Sequence, residues 1–121
     1  MLNEEKKAFL LLKSVIFHYH GLDQEEQRIL DETAEELDAT KELEWANNFI
    51  SEDFYSAFDR SRKYMNEVFK DTDKKELLSY LDQVWKANNQ KGYITEMEAT
   101  AMLKIAKDWK IENELISKIR S

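Results

Sequence analysis

Apolar residues recur three and four positions apart along most of this chain, the spacing that lines one face of an α-helix. Phe9, Leu12, Ile16 and Tyr19 keep that spacing, with Leu11 and Val15 widening the stripe, which predicts a helix from about Asn3 to His20 stopped by Gly21. Asp23 is placed to cap a second helix, whose inward stripe is Leu30, Ala34 and Leu37. A short third helix follows Thr40 and carries Leu43, Ala46 and Ile50, with Trp45 and Phe49 alongside. Ser51 is the next natural N-cap, and Glu52 and Asp53 behind it suit the positive end of a helix dipole. The fourth helix so predicted is aromatic, with Phe54, Tyr55, Phe58, Tyr64 and Phe69 beside Met65 and Val68. Asp71 to Asp73 ends it, and Asp73 opens a fifth helix through Leu77, Leu78, Leu81, Val84 and Trp85. Past the turn at Gly92, Thr95 opens a sixth with Met102, Ile105, Ala106 and Trp109, and a short last helix carries Leu115, Ile116 and Ile119.

Composition narrows the class. Proline is absent and the glycines number two, too few for the turns of a β-rich fold. The expected class is all-α, a compact bundle of about seven helices built from helical hairpins, in one domain over residues 1–121. A chain of 121 residues buries a core without disulfide or metal staples, and with no cysteine it has no disulfide or thiolate site. The longest apolar run, Ala8 to Leu12, falls far short of the roughly 20 residues that span a bilayer. No transmembrane segment is expected, and the acidic pair in the opening MLNEEKK argues against a signal peptide. The expected location is cytoplasmic.

The net charge of −7 is unevenly spread. Residues 22–53 hold 12 acidic residues against Arg28 and Lys41, a local net of −10, while the rest of the chain nets +3. Like charges repel nucleic acid and anionic membrane from the acidic third, so neither is expected as a partner. A cation or a basic protein surface is complementary to it, and a well-solvated helix face has the same pattern.

Two segments echo one another. Laying Glu26 over Glu98 matches Leu30 with Met102 and Ala34 with Ala106. In HYHGLDQEEQRILDETAEEL (residues 18–37) and NNQKGYITEMEATAMLKIAKDW (residues 88–109), a helix ends near a lone glycine and a capped helix begins shortly after. Both resemble the turn of the TerB-like family of tellurite-resistance proteins, the second more closely through Gly92-Tyr93-Ile94-Thr95-Glu96-Met97-Glu98. The resemblance covers most of the chain and implies a fold of helical hairpins. It also implies a non-enzymatic stress-resistance domain whose acidic surface meets a protein partner or responds to a divalent cation. The chain departs from that family where Asp usually precedes the glycine: Tyr19-His20 precede Gly21, and Gln90-Lys91 precede Gly92. The metal-ligand candidates that remain are Asp23, Glu26, Glu96 and Glu98.

Those carboxylates have a second explanation. Thr95 and Glu98, like Asp23 and Glu26, stand three apart, the spacing of a capping box in which side chain and backbone satisfy each other at a helix start. The Gly92 loop also resembles a degenerate EF-hand with Glu98 at position twelve, but its first, third and fifth positions are Ala87, Asn89 and Lys91, a poor set of hard oxygen ligands.

Other constellations are sparse. His18 and His20 point to different sides of a helix, so the expected role is a cationic imidazole at the negative end of the first helix rather than a metal pair. No phosphate loop and no nucleophile–base motif is recognisable, and no catalytic or cofactor-binding residue is assigned. Tyr55 and Tyr64 are candidates for a partner groove; Arg60, Arg62 and Lys63 are candidates for docking an acidic partner or another copy of the chain, as a homodimer. The expectation is a non-enzymatic interaction module with a protein partner. The alternative is a helical enzyme or small-ligand binder that places carboxylates in the bundle core.

Overall fold

The computed structural model describes residues 3–18, 23–90 and 94–120. Among them the chain forms seven helices and no strand: α1 (Asn3–His18), α2 (Gln24–Glu36), α3 (Thr40–Ser51), α4 (Ala57–Val68), α5 (Lys74–Gln90), α6 (Glu96–Asp108) and α7 (Glu112–Arg120). The expected ends at Tyr19, His20 and Gly21, and the turn at Gly92, lie outside the described residues.

The first helix is not amphipathic in the way its stripe suggested. Every residue from Ala8 to Phe17 is buried, because α2, α3, α4, α5 and α6 all pack against it. A helix enclosed on every side reads as a nearly continuous apolar run, and FLLL over residues 9–12 is that run. The exceptions are Lys13 and Ser14, which are buried with it. Lys13 Nζ donates to Thr33 Oγ1 on α2, and burial holds its pKa below the usual lysine value while the Glu36 carboxylate pulls it back up. Inward positions are thus not uniformly apolar, since Glu26, Ser61, Asn88 and Glu98 are buried as well.

The fourth helix starts later than its sequence suggests. Ser51 closes α3 instead of capping α4, and residues 52–56 form a turn. Phe54 and Tyr55 therefore lie outside any helix. The N-cap of α4 is Ser56, whose side chain makes no capping bond. The reason is a competing interaction: Asp53 accepts from Tyr55 N at 3.1 Å and from Ser56 Oγ at 2.9 Å, an Asx turn that closes the chain before a helix can begin. The fifth helix begins where expected, with Lys75 N donating to Asp73. Because α5 continues to Gln90, Ala87 and Asn89 of the EF-hand reading are helical, and Ala87 is buried.

The echo between Glu26 and Glu98 extends to the helix boundaries. Shifted by 72 positions, α1, α2 and α3 start within one residue of α5, α6 and α7, with His18 and Gln90 as the matching ends of α1 and α5. Asp23 and Thr95 cap α2 and α6 with complete capping boxes. Both helices end the same way: Ala39 N donates to Ala34 O at 2.8 Å, and Ile111 N to Ala106 O at 2.9 Å. Asp38 and Lys110 then take left-handed backbone angles, φ 52° and 61°, in the manner of an αL helix stop. The unpaired helix is α4, which packs on α1 and α3 and is tied to α6 by a two-bonded Arg62–Asp108 pair at 2.8 Å.

Candidate interaction surface

Three elements converge at the corner between α3 and α4. Arg60 is its fastener. The guanidinium donates to Phe49 O and Asp53 O, each at 2.9 Å, and to Ser56 Oγ at 2.7 Å, and it lies 4.8 Å from the Phe49 ring centroid. Phe49 in turn stacks with Trp45 and Tyr64. The turn is therefore held from behind by a packed aromatic cluster and by the Asp53 side chain from within.

What it presents outward is apolar. Tyr55 is 102 % exposed and Phe54 63 %, although large aromatic side chains ordinarily bury most of their area. With Met97 of α6, itself 50 % exposed, they line an open groove of about 640 Å³. Val15, His18 and Ile50 line it as well, and Asp59 and Lys104 are the charged groups on its walls. Glu52 and Asp53 stand exposed beside the aromatic pair.

His18 lines that groove, and its pKa is lowered. Its ring faces Phe54 at 6.2 Å between centroids, and Nε2 is buried without a hydrogen-bond partner. Burial lowers its pKa below the usual histidine value, while Asn47 and the Glu26 carboxylate act in the opposite direction. The expected cationic imidazole at the end of α1 is corrected accordingly: desolvation outweighs the neighbouring dipoles and charge and favours the neutral ring.

None of the four carboxylates singled out by sequence lines the groove. Glu26 is fully buried; its Oε1 accepts from Asp23 N at 3.1 Å, and its own N–H donates to Asp23 Oδ1 at 2.8 Å. Glu98, also fully buried, accepts from Thr95 N at 3.0 Å and from the Thr95 hydroxyl at 2.9 Å. Asp23 and Glu96 are exposed. Among the described residues no three histidine or carboxylate groups come together as a ligand set.

Of the partner-groove candidates, Tyr55 lines the groove, whereas Tyr64 donates to Glu4 at 2.7 Å and packs among aromatics. Arg60 and Arg62 are structural, committed to the turn and to Asp108. Sequence periodicity passed over Phe54, because it fits a helical stripe, and Met97, which no inward stripe includes; only the fold brings the two to one groove. Comparison of the chain with protein-family models, with curated proteins and with solved structures gave no match.

Proposed function

We propose that this protein is a non-catalytic interaction module whose recognition element is the α3–α4 turn with the groove beside it. The observation that carries the reading is the full exposure of Tyr55, next to Phe54, on a turn fastened by Arg60 and Asp53. Exposed aromatics are costly in water, and clustered at a groove they mark binding surfaces. A turn already fixed in one shape loses little entropy on binding, so more of the contact energy appears as affinity. The partner it suits is a protein segment with an apolar side chain for the groove and basic groups that meet Asp53 and compete with Arg60 and Arg62 for Glu52 and Asp59. The likeness of the two capped turns to the TerB-like family is what connects such a module to stress resistance.

The cation-responsive form of this function would draw on Asp23, Glu26, Glu96 and Glu98, and the enzyme alternative on the buried Glu26 and Glu98. Both buried carboxylates are hydrogen-bonded to the N-terminal backbone of their own helix, which favours the recognition reading.

Selecting peptides from a random display library on the immobilised full chain tests it. The expected outcome is enrichment of sequences pairing Lys or Arg with an aromatic or branched aliphatic residue. Fluorescence anisotropy should then show binding weakened by about tenfold or more in Tyr55→Ser and Phe54→Ser, the loss of a hot-spot contact. Selected peptides that bind both variants as tightly as the parent protein would place the recognition surface elsewhere.

A further inference from the structure

The groove beside the aromatic turn has one wall that simple chemistry can change. α6 supplies Met97 to it, and in a chain without cysteine the methionine thioethers are the side chains a peroxide oxidises most readily. The sequence has four methionines. Met65 and Met102 are fully buried in the core, whereas Met97 is 50 % exposed on the open groove. Met1 lies outside the described residues. Among the described residues, access therefore singles out one sulfur.

The internal repeat shows that the frame does not need a methionine at that place. Position 97 matches position 25, and each is the second residue of a helix opened by a complete capping box. The residue at position 25 is Glu25, whose side chain is 44 % exposed and ion-paired with Arg28. A strongly polar group there is compatible with the same capped start. A more polar side chain at 97 thus changes the groove and leaves the helix intact. Met102, by contrast, is matched by Leu30, and both are fully buried, so polarity at that position would act on the core.

Oxidation by hydrogen peroxide is a two-electron transfer. The sulfur lone pair attacks one peroxide oxygen, an S–O bond forms as the O–O bond breaks, and the other oxygen leaves as water. The flexible apolar thioether becomes a sulfoxide, a polar group that accepts hydrogen bonds. Met97 shares the groove with the exposed Phe54 and Tyr55 and with the buried Val15 and Ile50. An apolar side chain seated among these groups would strip water from the sulfoxide oxygen without replacing its hydrogen bonds, and that costs affinity.

Resting on the reading of the turn and its groove as the recognition element, we propose that Met97 is the redox-sensitive residue of that surface. Oxidation of its sulfur by a hydroperoxide weakens the grip of the groove on an apolar side chain, and reduction of the sulfoxide restores it.

The test treats the full chain with dilute hydrogen peroxide, removes the excess with catalase, and locates the added oxygen by peptide mass mapping. Met97 should be oxidised well before Met65 and Met102, with the circular dichroism unchanged. A peptide selected on the parent chain and sensitive to Tyr55→Ser should then bind about tenfold more weakly by fluorescence anisotropy. Methionine sulfoxide reductases of both epimer specificities should restore the binding. In Met97→Leu, the affinity for the same peptide should be equal before and after treatment. Oxidation that reaches Met65 or Met102 first, an oxidised Met97 with undiminished affinity, or a loss that persists in Met97→Leu would each overturn the inference while the recognition reading stands. If no selected peptide is sensitive to Tyr55→Ser, the recognition reading itself falls and the inference falls with it.

Discussion

The first three helices and the last three share one frame and use it differently. Both units start their middle helix with a capping box and end it with the same left-handed stop. Yet α2 carries six acidic residues and one basic, and α6 three acidic and two basic. The leading helices differ as much. α1 is enclosed by α2 through α6, whereas α5 packs chiefly on α1, α6 and α7 and leaves Ser79, Gln83 and Lys86 in solvent. The helix without a counterpart, α4, causes much of this difference: it covers α1, and no equivalent element covers α5. Frame and surface are therefore separable. Positions such as Leu30 and Met102 serve the frame, and what covers the rest is free to serve recognition.

The strongest test of the shared frame is at its caps. Glu26→Ala and Glu98→Ala should each destabilise the fold by about 1–2 kcal/mol, the loss of a cap plus the space left by a buried side chain. Chemical denaturation of the two variants should give matching losses, unchanged by added calcium, magnesium, manganese or zinc. A loss that depends on cation would assign a ligand role to those carboxylates, and a marked inequality would break the equivalence of the units.

The divergence of the leading helices is tested at Lys13, whose counterpart is Trp85. Burial makes the charged lysine unfavourable in the fold, so Lys13→Met should raise stability at neutral pH by up to about 1 kcal/mol, despite losing the Thr33 bond. The folded pKa lies below the unfolded value, so the parent gains stability as pH rises toward lysine's ordinary value of 10.5 and the gap to the variant narrows. Denaturation midpoints at neutral and alkaline pH measure both. A variant less stable than the parent at neutral pH would show that the Thr33 and Glu36 contacts outweigh desolvation.

The smallest effect belongs to His18. With its folded pKa below histidine's ordinary value of 6.5, the unfolded chain binds the proton more readily. Stability contributed by the neutral ring is complete above that value and declines as pH falls from it toward the folded pKa. Replacing His18 by the residue at the matching position, Gln90, should remove this slope, a change of a few tenths to about 1 kcal/mol between pH 7 and pH 5. Equal slopes in parent and variant would mean that the ring titrates as in the unfolded chain.

Much of the architecture was legible in the sequence because helical periodicity and caps are local. The absence of proline, the stripe through Leu30 and Ala34, and the three-residue spacings at Asp23 and Thr95 specify helices from their own segments alone. The internal echo was visible at Glu26, Leu30 and Ala34 for the same reason. The exposed groove was legible only in part, through Tyr55, which the sequence marks as a groove candidate. Phe54 and Tyr55 fit the stripe that includes Phe58, and no local rule separates an aromatic that packs inward from one that a turn lifts into solvent.

Sequence by itself thus determined the helical class, the capped starts of α2 and α6, and the concentration of negative charge in residues 22–53, since each depends on near neighbours or on composition. The tertiary structure decided which residues are wet. It buried Lys13, Glu26 and Glu98, enclosed α1 on every side, and left Phe54, Tyr55, Met97 and Leu103 exposed around α6. Burial is set by what packs from distant parts of the chain, Arg60 reaching back to Phe49 O and five helices closing over α1, and those contacts exist only once the chain has folded.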